Sequence, residues 1–400
     1  MDNPGDRDAW IRLSVIASAV LLGMSVWFAA SAVSPALADR WDLSSSQVGG
    51  LTTLVQLGFV AGTLTAALLG LADSIPARFY FGCSAALAAS ANAALLVAPG
   101  YESALATRFL TGVFLAGVYP PAMKMTATWF RTNRGLAIGV VIGALTAGKA
   151  MPYLVGGLET MGIRVVIVAT SAAAGLAALL VVSGYRDGPH AFPARPFSFR
   201  QAAEVIGTRR WRLATGGYLG HMWELYAYWT WIAAFLAAAA AEPGATDGFP
   251  AGLVRAAPFL AIAIGAVGCV WGGRVADRIG YEALTIRCLA VSGTCAVLVG
   301  ALFGGPFLPV FLVVLVWGFF VIADSAQFSA AVTEVVPPDV VGTALTLQVA
   351  LGFLLTMATI QLVPLLAATF GWRWAFPVLA LGPAGGIASM RALAHARALP

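Results

Sequence analysis

Twelve apolar runs, each long enough to cross a bilayer, dominate the chain. They lie at about 12–37, 47–72, 77–98, 102–130, 133–158, 162–184, 210–240, 251–275, 281–303, 306–331, 340–368 and 372–394. An α-helix rises 1.5 Å per residue, so some twenty apolar residues span a hydrocarbon core of about 30 Å. In lipid, backbone N–H and C=O groups must pair within their own segment, so such runs fold as helices. Connections are short except at 185–209, YRDGPHAFPARPFSFRQAAEVIGTR, which separates six runs from six. The expected fold is an all-α polytopic membrane protein of twelve transmembrane helices. Its two six-helix halves would be residues 1–184 and 210–400, joined by a cytoplasmic linker at 185–209.

Composition enters as a check on that reading. Charged residues are 10% of the chain and mean hydropathy is +0.86, too little polar surface to cover a soluble globule. No long polar segment is left over for an extramembrane domain. The first run is about 25 residues, longer than a signal-peptide core, and reads as a retained span. The four cysteines, Cys83, Cys269, Cys288 and Cys295, lie inside apolar runs and read as small packing residues. With the N-terminus placed in the cytoplasm, sixteen of the 23 cations fall on the inner side. Four fall outside, namely Arg40, Arg164, Arg255 and Arg373, and Arg108, Lys124 and Lys149 fall within spans. Cations concentrate on the cytoplasmic side of membrane proteins, so both termini are expected inside. The basic balance therefore belongs to membrane loops, not to nucleic-acid binding. Arginine outnumbers lysine 21 to 2, which with the alanine excess points to a bacterial source and its plasma (inner) membrane.

Residues 108–153 carry an unusual combination. Arg108 and Lys149 stand inside apolar runs, and glycines recur at Gly112, Gly117, Gly135, Gly139, Gly143 and Gly148. Small residues at that spacing let helix backbones approach closely in lipid. The fourth and fifth spans are therefore expected to form a tightly packed pair holding buried positive charge.

The halves repeat. LGLADSIPARF after the second span matches GRVADRIGYEA after the eighth, pairing Asp73 with Asp277. NRGLAIG at the start of the fifth matches VVGTALT at the start of the eleventh, pairing Gly135 with Gly342. The two offsets, 204 and 207 residues, nearly agree and argue for duplicated halves. Parallel repeats of this kind place a substrate site between the halves near the membrane midplane.

In these features the sequence resembles the major facilitator superfamily of transporters. Gly273, Val275, Ala276, Asp277, Arg278 and Gly280 match the family's loop signature. The first-half copy keeps Leu71, Ala72, Asp73 and Arg78. Arg108 followed by Gly112 resembles the family's fourth-helix arginine motif. The resemblance spans the whole chain. It implies alternating access, with the halves rocking about a central cavity. It also implies a cytoplasmic latch in which Asp73 and Asp277, with Arg78 and Arg278, face the starts of the eleventh and fifth helices. A carboxylate there complements the positive end of the helix dipole. The antiporter signature of the fifth helix is not met, since Ala147-Gly148-Lys149 stands near its glycine-proline pair. WFAASAV (27–33), GHMWELYAYWTW (220–231), IADSAQFSAAVTE (322–334) and GTALTLQ (342–348) loosely resemble nitrate/nitrite-type or cyanate-type carriers.

A charge at the bilayer centre costs at least about 2.5–3.5 kcal/mol, so it needs a partner or a role. Arg108 shares a helix face with Thr111, Gly112, Leu115 and Tyr119, a stripe that suits a cavity wall. Lys124 faces elsewhere, near the cytoplasmic end, and is read as snorkelling or loop-paired. Lys149 lies mid-helix beside Leu145, Thr146, Pro152 and Tyr153, either meeting a substrate anion or pairing with an acid of the other half. On the seventh helix, Glu224, His221, Tyr228 and Trp231 share a face. Glu224 with His221 suits proton coupling, and two potential ligands without a third make no metal site. Trp223, Tyr226 and Trp229 are assigned to packing or the membrane interface. Asp324, with Trp317, Phe320, Gln327 and Phe328 on its side, resembles a binding wall. Gln56 and Gln348 sit mid-span, where an amide bonds either substrate or a neighbouring helix.

No phosphate loop, catalytic triad or metal set is present, so neither an enzyme nor a cofactor is expected. The expected function is secondary active transport of a small organic or inorganic anion, coupled to protons, by a monomer in the bilayer. Substrate would meet Arg108, Tyr119, Lys149, Tyr228, Asp324, Gln327 and Gln348. The other reading is a proton-antiport exporter of drug-like or amphipathic compounds, should the buried cations and acids neutralise one another.

Overall fold

A computed structural model of the chain describes residues 4–131, 133–156, 162–190 and 198–398, with the side chains of 4–6, 72, 73, 199 and 398 excepted. The described residues form helices, turns and loops, with no strand among them. In the first half these are α1 Pro4–Met24, α2 Ala29–Ala32, α3 Ser34–Trp41, α4 Ser45–Leu68, α5 Leu71–Ser74 and α6 Ala77–Ala93. They continue with α7 Tyr101–Leu115, α8 Tyr119–Trp129, α9 Arg134–Gly156 and α10 Ile163–Gly184. In the second half they are α11 Phe199–Gly207, α12 Arg209–Ala240, α13 Ala251–Ile279, α14 Tyr281–Leu302 and α15 Phe307–Ala323. The chain ends through α16 Ser325–Val335, α17 Val341–Phe370, α18 Trp372–Ala375 and α19 Leu381–Ala398.

Nine segments among the described residues are long and apolar enough to cross a membrane. The other three expected spans are the first (α1–α3), the fourth (α7–α8) and the seventh (α12). The first and fourth are broken helices. The seventh is 32 residues long but begins Arg-Arg-Trp-Arg and holds His221 and Glu224, which dilute its hydropathy.

Three breaks lie inside the bundle. Between α1 and α2 the backbone makes i→i+3 turns, with Trp27 N donating to Met24 O at 3.1 Å. Between α7 and α8 the turn ends at Pro120 and Pro121, which lack the N–H that an interior helix position needs but suit a first turn. Between α15 and α16 the chain turns at Asp324. Gly117, in the α7–α8 break, and Asp324 are 207 residues apart, the same offset that pairs Gly135 with Gly342. The break is thus one feature of the repeat, present in both halves.

The glycines of residues 108–153 do bring backbones close, but not those of the fourth and fifth spans to each other. The glycines are spread over four neighbouring helices. Gly112 meets the Val55–Phe59 backbone of α4, Gly117 meets Ser84 of α6, and Gly148 meets Leu21 of α1. Gly139 and Gly143 meet α13, where an added Cβ would stand 2.9 Å from Cys269 O and 2.9 Å from Ala266 O respectively. The expected pair is therefore two separate seams, α4–α7 within the first half and α9–α13 between the halves. A six-helix half gives each helix several partners, so a glycine-rich pair of neighbours in sequence need not be a pair in space.

One end of the bundle holds the chain termini. There Arg186 pairs with Asp8, Arg12 pairs with Asp8 at 3.2 Å, and Arg397 bridges Glu282 at 2.8 Å and Glu334 at 2.9 Å. The hydrogen bond from Arg186, with its charge and that of Arg12, holds the Asp8 carboxyl below the usual carboxylate range. Asp277 also lies at this end. A Cβ placed on Gly135 would sit 3.3 Å from each of its carboxylate oxygens, so the carboxylate covers the first turn of α9. The opposite end is closed by contacts across the halves. The Gln361 side-chain amide and Ser46 Oγ pair at 2.8 Å, and Tyr153 Oη donates to Trp229 O at 3.2 Å, while within the second half Trp231 Nε1 donates to Ile360 O at 2.8 Å. Leu179, Leu298, Leu312 and Val316 are exposed on the outer surface, as lipid-facing positions are.

A lysine in an aromatic cage between the halves

A cavity of about 60 Å³ lies between the two halves. The first half supplies Met24, Trp27, Phe59, Tyr119, Ile142, Leu145 and Lys149 to its wall. The second supplies Tyr218, Met222, Leu225, Tyr226 and Trp229 from α12, Ile322, Ser325 and Ser329 from α15–α16, and Val349 and Phe353 from α17. Lys149 is the one charged side chain among these lining residues, and it is 1% exposed.

Lys149 stands fifteen residues beyond the start of α9, about 22 Å along the helix axis from the end that holds the termini. Snorkelling from that depth is beyond the side chain's reach. Its Nζ is instead surrounded by rings, at 4.0 Å from the Trp27 centroid, 4.5 Å from Tyr226 and 4.9 Å from Trp229. It also donates to Tyr226 Oη. An ammonium over desolvated aromatic faces gains about 2 kcal/mol, less than an ion pair would give it. No carboxylate among the described residues lies within ion-pair distance of it. Trp27 comes from the first half, Tyr226 and Trp229 from the second, so the cage straddles the interface. Phe59 and Phe353 pack against it, their centroids 4.6 Å apart and Phe353 5.1 Å from Tyr226.

Arg108, His221, Glu224, Tyr228 and Asp324 find their partners inside one half or the other. Arg108 is 1% exposed and is not part of the cavity wall. Its guanidinium donates to Asn92 Oδ1 at 3.0 Å, to Val26 O at 3.1 Å and to Trp27 O. Those two carbonyls belong to the break between α1 and α2. Arg108 therefore stabilises the segment that presents Trp27 to the cavity, one step removed from the cage. Asn92 in turn donates to Thr170 Oγ1 at 3.1 Å and to Ser171 Oγ at 2.9 Å on α10.

Two faces of α12 are buried, and they do different things. Tyr218, Met222, Tyr226 and Trp229 line the cavity. His221, Glu224 and Tyr228 point into the second half. Glu224 accepts from Trp317 Nε1 at 2.7 Å and Ser292 Oγ at 2.8 Å. Tyr228 Oη bonds to Val314 O at 3.0 Å and Ala261 O at 3.1 Å. His221 Nδ1 lies 3.0 Å from Asp324 Oδ1, both residues 1% exposed, and Asp324 precedes the lining residue Ser325. Gln327 is buried nearby, and Gln348 Nε2 donates to Phe328 O at 3.4 Å. Of the expected substrate contacts, Tyr119 and Lys149 are on the wall. Arg108, Tyr228, Asp324, Gln327 and Gln348 are not among its residues. Of the expected latch, Asp277 covers Gly135, Arg278 lies in the last turn of α13 and Arg78 stacks on Phe79 at 4.7 Å. The Asp73 side chain lies outside the described residues.

Sequence reasoning passed over Trp27, Tyr226 and Trp229 as cavity residues. A signal was present, since Met222, Tyr226 and Trp229 fall at i, i+4 and i+7, one continuous stripe on α12.

Two duplicated six-helix halves around a buried cavity, sealed at one end, form a secondary transporter. The family profile agrees over most of the chain. Residues 15–360 match the Major Facilitator Superfamily, and the chain belongs to it; it is a multi-pass membrane transporter and not an enzyme. A bacterial homologue of the human lysosomal transporter Spinster, inward-facing and occupied, superposes with a TM-score of 0.71 at 16% identity over 96% of each chain. A bacterial Spinster homologue in the inward-facing, unoccupied state gives 0.69 at 17% identity, covering 98% of this chain and 95% of that one. A variant of the nucleoside transporter NupG gives 0.72 at 13% identity, covering 96% of this chain and 99% of the other. Identities this low establish the shared fold alone. No curated protein matches the chain.

Proposed function

We propose that this carrier moves a small anion by alternating access, coupled to protons, with Lys149 holding the substrate's negative charge and Tyr119 beside it. The observation that carries this reading is the state of Lys149. It is the sole charge among the cavity's lining residues, and a ring cage rather than a carboxylate surrounds it. Neutralisation of central cations by central acids, the premise of the exporter reading, finds no support in the contacts. The two terminal nitrogens of Arg108 donate to carbonyls and an amide, and Glu224 and Asp324 lie within the second half.

Glu224 and the His221–Asp324 pair are the proposed proton carriers. They are buried titratable groups one helix face away from the cavity, and Asp324 adjoins Ser325 of the wall. The halves at 1–184 and 210–400 would rock about the linker at 185–209, latched through Asp73, Arg78, Asp277 and Arg278. By its arginine distribution, the end holding the termini faces the cytoplasm of a bacterial inner membrane. A C-terminal fusion that fluoresces only in the cytoplasm tests this; a dark fusion reverses the orientation.

The deciding experiment is uptake by the monomer reconstituted in liposomes, under an imposed pH gradient, from a panel of carboxylates, nitrate and cyanate. An anion should accumulate, and Lys149→Ala should lower its apparent affinity at least about tenfold. Glu224→Gln should abolish gradient-driven accumulation while anion exchange persists. Movement of lipophilic cations with no anion uptake would overturn the reading in favour of proton-antiport export.

A further inference from the structure

The cage holds more hydrogen-bond donors than its own atoms satisfy. Trp27 is 0% exposed and Trp229 is 1% exposed, and both rings line the cavity around Lys149. The indole Nε1 of each has no hydrogen-bond partner. An indole N–H only donates, and an ammonium carries three donors, of which Tyr226 Oη takes one. Three side chains that line one pocket, from both halves, thus carry donors without partners, and no carboxylate is among the lining residues. Buried donors are ordinarily paired, and an exception calls for a ligand.

The rest of the wall limits what that ligand is. Phe59, Phe353, Leu145, Leu225 and Met222 offer apolar surface, and no second cation is present among the lining residues. Tyr119, Tyr218, Ser325 and Ser329 add uncharged hydroxyl-bearing side chains to the same wall.

We infer that Lys149, Trp27 and Trp229 together form a carboxylate receptor, and that the substrate class is an organic monocarboxylate with an apolar or aromatic body. This rests on the anion reading and narrows it. A carboxylate accepts at two oxygens from several donors at once, which matches an ammonium flanked by two indoles. A second carboxylate would meet hydroxyl side chains but no second cation, and a bare inorganic anion would leave the apolar rings uncovered. An aromatic body needs more than the cavity's volume of about 60 Å³ and so enters only as the halves part.

Equilibrium binding to the purified protein in lipid nanodiscs tests it, with benzoate, the neutral isostere benzamide, succinate and nitrate as probes. Benzoate should bind, with benzamide and succinate at least about thirtyfold weaker. Trp27→Phe and Trp229→Phe keep the ring and remove only the N–H. Each should weaken benzoate about tenfold while leaving the melting temperature unchanged. The inference is overturned if both variants bind benzoate like the parent, or if nitrate or succinate binds more tightly than benzoate in a Lys149-dependent way. In the latter case the anion carrier stands and only its substrate class falls. If no anion binds and benzamide or a lipophilic cation does, both readings fall. Should either variant fail to fold, the parent's ranking of the four probes still decides.

Discussion

At the scale of single residues, buried charge is met in two different ways. Arg108 is stabilised wholly within its own half, by the Asn92 amide and the carbonyls of Val26 and Trp27. Replacing it with methionine keeps the volume but strands those carbonyls in a dry interior. We expect Arg108→Met to cost about 2 kcal/mol or more, read as a lower melting temperature of the purified protein. Unchanged melting would mean that water or lipid satisfies the carbonyls instead. The sequence disclosed that Arg108 and Lys149 were buried, because cations inside apolar runs are conspicuous. It did not disclose which way they faced. Both stripes of α12 are buried, and charge drew attention to the His221–Glu224–Tyr228 stripe. The cavity takes the aromatic one. A buried helix surrounded by neighbours has no solvent side to mark its orientation, so its polar stripe is no guide to which partner lies there.

At the scale of elements, glycine sets the spacing that lets the halves approach. Along α9 and α13, Gly139 and Gly143 face backbone carbonyls with no room for a side chain. We expect Gly143→Val to disfavour the conformation in which this seam is shut, by about 1–3 kcal/mol. Uptake should slow about tenfold or more while anion binding to the purified protein persists. Cys269, now 4% exposed against Gly139, should become reactive toward thiol reagents. Fast uptake with Cys269 still protected would show that the seam does not move. The break before α8 left a signal in the sequence, the adjacent Pro120 and Pro121, although the single prolines Pro152, Pro258 and Pro364 stay inside helices. That break separates Arg108 from Tyr119, which one continuous helix would have put on one face. The breaks at Ser25–Phe28 and Asp324 left none. No proline marks either, and the turn after α1 depends on an arginine 82 residues from Val26.

At the scale of the whole molecule, the duplication and the membrane class were open to inspection in the amino-acid pattern. Length of apolar runs, a repeat offset and one loop signature sufficed. The interface was not, because no local pattern states which helix of one half meets which of the other. Its central consequence concerns the cage. Lys149 travels with the first half, whereas Tyr226 and Trp229 travel with the second. On the proposed reading, rocking the halves apart withdraws those two rings and leaves the ammonium with Trp27 alone in a poorly hydrated cleft, unless a bound anion accompanies it. If Lys149 holds the anion as proposed, the unloaded protein should cross between its two orientations more slowly than the loaded one. Liposomes preloaded with unlabelled substrate should take up labelled substrate several times faster than empty liposomes at the same external concentration. Equal rates would show that the unloaded form turns over freely. Such a carrier behaves first as an exchanger, trading one molecule for another across the membrane, and only secondarily as a pump.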